Sequence, residues 1–125
     1  MIKQADLTLT IGPNATLPRY GASDNRNLVK LIFEHNGDSD RSTGPNAFNR
    51  TVNLHTVICK GKTGLMYGSV QRDTGKDVPA STTKYLVVPD DCMELYQNHS
   101  QTDSFYQQFV VNCGFKLIEQ GDYEN

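Results

Sequence analysis

The stretch at residues 49–59 constrains the fold more than any other. Val52, Leu54 and Ile58 alternate with Asn49, Thr51, Asn53 and His55, and a side-chain period of two is what a strand with one buried and one solvated face requires. Five further segments read as strands, less cleanly. Residues 6–11 (Asp-Leu-Thr-Leu-Thr-Ile) alternate and then meet Gly12-Pro13-Asn14, a strand followed by a turn. Residues 16–20 can return as the second arm of a hairpin, with Pro18 holding that arm at a sheet edge because proline cannot donate to a ladder. Residues 28–35 put Val29, Leu31 and Phe33 on one face and Leu28, Lys30, Ile32 and Glu34 on the other. After the polar reversal Lys60-Gly61-Lys62-Thr63-Gly64, residues 65–71 are the expected antiparallel partner of the preceding strand. Residues 82–88 resume β-prone sequence, which can continue, bulged, to Tyr96.

Residues 36–46 and 73–81 carry almost no large apolar side chains and read as loops. Ser100 with Asp103 fits a helix-capping box. Phe105, Tyr106, Phe109, Val110, Cys113 and Leu117 then recur at helical spacing, with Gly114 breaking the helix and leaving residues 115–119 as a shorter second one. The predicted fold class is α+β: an N-terminal hairpin (1–20) and an antiparallel β-sheet (28–97), followed by two C-terminal α-helices (100–120). At 125 residues these form a single domain, 1–125, without internal repeats. So short a helical segment is too small to cover a sheet face alone, so cover from a partner chain is expected.

The net charge of −2 is the average of unlike parts. Residues 1–24 balance Lys3 and Arg19 against Asp6 and Asp24. Residues 25–89 set nine bases against five acids, +4, and residues 90–125 set Lys116 against seven acids, −6. Such asymmetry suits an electrostatically two-sided molecule with a polyanion on its basic side. No run approaches the ~20 apolar residues of a membrane span, and residues 1–6 lack the apolar core of a signal peptide. A soluble chain that starts at Met1 is therefore expected. Cys59, Cys92 and Cys113 form no C-x-x-C pair and no even set, which points to a reducing compartment.

Catalytic patterns are thin. Gly61-Lys62-Thr63 resembles the end of a phosphate-binding loop, but Thr56 stands where that motif needs its first glycine. His35, His55 and His99 lack metal-ligand spacing, and adjacent Asp90 and Asp91 would point apart on a strand. The chain is expected to be no enzyme and to need no cofactor or metal. A nucleic-acid surface is better supported. Lys30, Asn49, Thr51, Asn53 and His55, with Arg50 at the strand edge and Lys84 and Tyr85 on a later strand, combine phosphate-neutralising cations, base-pairing polar groups and a stacking ring.

This layout resembles the coat proteins of single-stranded RNA bacteriophages, the leviviral coat family. The likeness covers nearly the whole chain: its length, the opening Leu7-Thr8-Leu9-Thr10-Ile11-Gly12, sheet strands with polar loops, and a helical end. Its most specific stretch is residues 49–57, similar to the family's RNA-facing strand, with Thr102-Asp103, Phe109 and residues 113–118 also similar. The resemblance implies a homodimer with one continuous sheet and its helices on one face, and an icosahedral T=3 shell around single-stranded RNA. It also implies an RNA hairpin bound as packaging signal and translational repressor, and a capsid assembled in the host bacterial cytoplasm. Asn49, Thr51, Asn53 and His55 match the outward positions of the RNA-facing strand, while Lys30 and Tyr85 match across loops of different length. The family often carries lysine where Thr51, Asn53 and His55 stand, so Arg50, Lys30 and Lys84 would compensate. With no cysteine in either long loop, shell contacts would be noncovalent. The alternative is a monomeric α+β module that holds a small ligand between sheet and helix.

Overall fold

The computed structural model describes residues 5–13, 15, 20–34, 47–62, 72–98 and 104–125. Five strands make one sheet in the order β1-β2-β3-β4-β5: β1 Leu7–Ile11, β2 Leu28–Phe33, β3 Thr56–Cys59, β4 Tyr85–Val88 and β5 Lys116–Glu119. Every neighbouring pair is parallel. This overturns the predicted antiparallel sheet, since β1 pairs in parallel with β2, while the return arm of the predicted N-terminal hairpin falls on residues outside those described. The physical reason lies in the connections. The strands are separated by 16, 22, 25 and 27 residues, the dozen or more that a parallel crossover needs rather than the two to five of a hairpin.

The order of the described strands is monotone, and right-handed crossovers in such an order share one face. The core agrees. Leu31, Val57 and Leu86, then Ile11, Phe33, Cys59 and Val88, form two registered rows on that face. Ala22, Ala47, Phe48, Leu54, Cys92, Tyr96, Phe105, Phe109, Cys113 and Phe115 from the connections cover them. Edge-to-face rings link these layers, with Phe33 centred 5.0 Å from Phe105 and Phe109 5.3 Å from Phe115. Tyr96 donates its hydroxyl to the Gly61 carbonyl at 2.6 Å, satisfying a buried polar atom.

A second ladder runs beside the strands. The turns at residues 20–24, 47–53 and 72–78 stack, with Ala22 N–H donating to Ala47 O, Asp24 to Asn49 O, Gly75 to Thr51 O and Asp77 to Val52 O. The chain is thus layered like a short solenoid, each layer touching its neighbours. The registered core positions 9, 31, 57, 86 and 117 recur at steps of 22, 26, 29 and 31 residues, a repetition of position that no repeat in the amino-acid sequence announces.

Three further expectations are corrected. Residues 49–59 are not one strand: Arg50 takes φ 63°, and Thr51 Oγ1 donates back to Phe48 O at 2.7 Å, a local bond that competes with a ladder, so extended pairing begins only at Thr56. The strand from Tyr85 stops at Val88, where Pro89 and the left-handed Asp91 (φ 66°) lead into α1, Met93–Gln97. The two C-terminal helices become a π-helical turn, Tyr106–Val111, then β5, then α2, Gln120–Glu124. Gly114 ends the first helix as expected, at φ 77°. Residues 115–119 then follow their period-two pattern alongside β4. The predicted arm at residues 16–19, the strand at residues 65–71 and the cap at Ser100 and Asp103 lie outside the described residues.

Candidate nucleic-acid interface

Opposite the core, the sheet carries two other registered rows. One is Thr8, Lys30, Thr56, Tyr85 and Lys116; the other is Thr10, Ile32, Ile58, Val87 and Ile118. Ile58 and Val87 are buried yet stand apart from the main core cluster. Tyr123 of α2 covers this centre in part, its ring edge-on to Tyr85 with centroids 5.7 Å apart. The margins are open: Thr8, Thr10 and Lys116 are exposed, and Lys30 and Ile32 half-buried. Three strand steps of ~4.8 Å put the backbones of Lys30 and Lys116 ~14 Å apart across the sheet. Thr56 forms the floor between them, its hydroxyl 2.8 Å from His55 Nδ1.

The eight residues predicted to bind RNA do not form one strand face. Lys30 and Tyr85 share the row, and His55 borders it through Thr56. Thr51 is fully buried. Asn53 donates Nδ2 to the Arg26 carbonyl at 2.7 Å, and Asn49 accepts Asp24 N–H through its own carbonyl. Both act in the stacked turns. Arg50 is exposed but pairs with Asp24 at 3.3 Å, a surface bridge worth little to stability. Lys84 is committed elsewhere: its ammonium donates to Cys113 O at 2.7 Å and sits 5.3 Å from the centre of the Phe115 ring. Lys116 and Thr8 were missed. Lys116 fell in a segment read as helix, although it is the sole base among residues 90–125.

Charge divides along the strand axis at β4 and β5. Lys84 and Lys116 stand at their amino ends, and Asp90, Asp91, Glu94, Glu119 and Asp122 at their carboxyl ends. The acids are partly structural: Asp90 Oδ1 accepts Gly121 N–H at 2.8 Å, and Glu119 Oε2 accepts Asp91 N–H at 2.7 Å. A shallow depression of about 230 Å³ lies among Asp91, Met93, Glu94 and Glu119. It is acidic and open, unlike an apolar ligand pocket.

The three cysteines are buried, and none of them forms a disulfide. Burial holds the Cys59 thiol well above its usual range and pushes Cys113 up to about 11, so both are protonated at neutral pH and poor nucleophiles. Among the described residues no group of three or more His, Cys, Asp or Glu is arranged to hold a metal, and no helix is long and apolar enough to cross a membrane. A monotone strand order also has no point where it reverses, so the sheet lacks the crevice in which open parallel sheets usually bind small ligands. No family model matches the chain, and no curated protein or solved structure matches it.

Proposed function

We propose that this protein is a non-catalytic, RNA-binding, self-assembling protein, a function of the kind implied by its resemblance to phage coat proteins. The observation that carries the proposal is the registered row Lys30–Thr56–Tyr85–Lys116 on the face opposite the core. Two lysines spaced across a sheet neutralise phosphates, and a tyrosine between them offers a ring on which a base stacks; neither contact demands a particular base. Nothing in this proposal uses the antiparallel dimer sheet of the coat family, which the parallel strands replace. Lys30 and Lys116 face RNA, and the acidic carboxyl ends of β4 and β5 face solvent.

In the coat setting this surface lines the interior of a shell around single-stranded RNA. Size-exclusion chromatography recorded at 260 and 280 nm tests it. Large particles with a high 260/280 ratio are expected. A single RNA-free peak near 14.0 kDa would overturn the proposal.

A further inference from the structure

The two outer edges of the sheet, β1 and β5, carry unlike surfaces that fit each other. An edge strand presents unpaired N–H and C=O groups, and proteins that stay monomeric usually guard it with lysine, proline or a covering element. Among the described residues β1 is the last strand at its side of the sheet, and Leu7-Thr8-Leu9-Thr10-Ile11 contains neither charge nor proline, with Leu7, Thr8 and Thr10 exposed. On β5 the two central residues, Leu117 and Ile118, are apolar and half-buried, and only its ends are charged. α2 folds back toward β4, through the Tyr123–Tyr85 contact, rather than outward past β5.

The large exposed apolar side chains gather at these same two ends. Among the described residues they are Leu7, Tyr20, Leu95 and Val111. Leu7 lies on β1, 37% exposed, and Tyr20 in the first of the stacked turns. Leu95 and Val111, 45% and 57% exposed, lie on α1 and the π-helical turn, both packed against β5. The core ends half-covered at each side too, at Leu9 and at Leu117 with Val110. A solenoid layer that ends without a polar cap invites another layer.

We propose that a second copy of this chain docks its β5 edge on the β1 edge, continuing the parallel sheet from one molecule into the next. The rows then run on without a break: Thr8 beside Lys116 of the second copy, Leu9 beside Leu117, and Thr10 beside Ile118. Asp6, exposed at the amino end of β1, meets Lys116 at the amino end of β5 with opposite charge. The contact is heterologous, so it propagates into a ring or an open filament, whichever the sheet twist allows. It deepens the assembly part of the proposed function and rests on that reading.

The test uses nuclease-treated, RNA-free full-length protein. Thr8→Cys and Lys116→Cys variants are mixed and oxidised, then resolved on a non-reducing gel; the three native cysteines are buried. Neighbouring strands bring paired Cα atoms within the ~4.4–6.8 Å that a disulfide spans. A cross-linked dimer only in the mixture is the expected result. Dimers of Thr8→Cys alone, which would mean β1 against β1, or no cross-link at all, would overturn the proposal. Thr10→Lys provides a second measurement: sedimentation should report association at least tenfold weaker with an unchanged circular dichroism spectrum, and unaltered association would also overturn it. Particles that form and hold RNA without the cross-link would leave the RNA-binding function standing and remove this interface. Parent protein that associates in sedimentation but ignores RNA would do the reverse.

Discussion

The two faces of the sheet are made from alternate residues of the same five strands, yet they meet different fates. One presents Leu31, Phe33, Val57, Cys59, Leu86 and Val88 to a thick layer of crossover side chains. The other presents Thr8, Lys30, Thr56, Tyr85 and Lys116, with partial cover from α2. Topology decides this difference. The strand order never reverses, and the described connection residues that pack on the sheet gather on one face, while the other keeps polar residues at its margins. Stability is therefore concentrated on the first face, and the recognition we propose falls on the second.

Mutations should separate the two. Phe33→Ala removes a ring packed against both Phe48 and Phe105 and should cost about 4 kcal/mol in chemical denaturation. Ile32→Ala, its half-buried neighbour on the other face, should cost less than about 2 kcal/mol; equal losses would erase the distinction. Gly75→Ala should cost about 3 kcal/mol. At φ 74° an L side chain is strained, and its Cβ would stand 2.6 Å from the Leu54 carbonyl oxygen, in the ladder of turns.

Alkali should act through the covered face. Cys113 keeps its proton up to about 11 when folded, against 9.0 ordinarily, and burial pushes Cys59 and Tyr96 up as well. The unfolded chain thus releases protons first, so stability is full below about pH 9 and falls as pH rises through about 11. A melting temperature that holds level across pH 9–11 would contradict that burial. Lys84→Gln sharpens the comparison further: it should cost about 1–2 kcal/mol through the lost bond to Cys113 O, while RNA affinity stays within twofold of the parent.

Strand positions were more legible than strand directions. β1, β2 and β4 follow from alternation and from the breaks at Gly12, Asn36 and Pro89, because those patterns are local. Pairing direction is not local, and its available signal was the length of the connections. Residues 49–55 misled because a polar–apolar alternation also suits stacked turns, where Thr51 faces inward and its hydroxyl is satisfied by Phe48 O. The same mistake scattered the candidate site. Alternation puts Asn49, Thr51, Asn53 and His55 on one face of a strand with Arg50 at its edge, whereas lateral register, invisible in one sequence, joins Lys30, Tyr85 and Lys116 instead.

The division of labour between the faces is tested most directly by RNA affinity as a function of salt. Single-stranded RNA is titrated by filter binding across a range of salt concentrations, with the parent, Lys30→Gln/Lys116→Gln and Arg50→Gln. Each phosphate-contacting lysine adds about one to the slope of log affinity against log salt. The double variant should therefore lose about two from that slope and keep the parent's denaturation midpoint. Arg50→Gln, which removes an exposed cation from the turn stack, should leave the slope unchanged. If the double variant kept the parent's slope, or if Arg50→Gln lowered it as much per charge, the row would not be the RNA-binding surface.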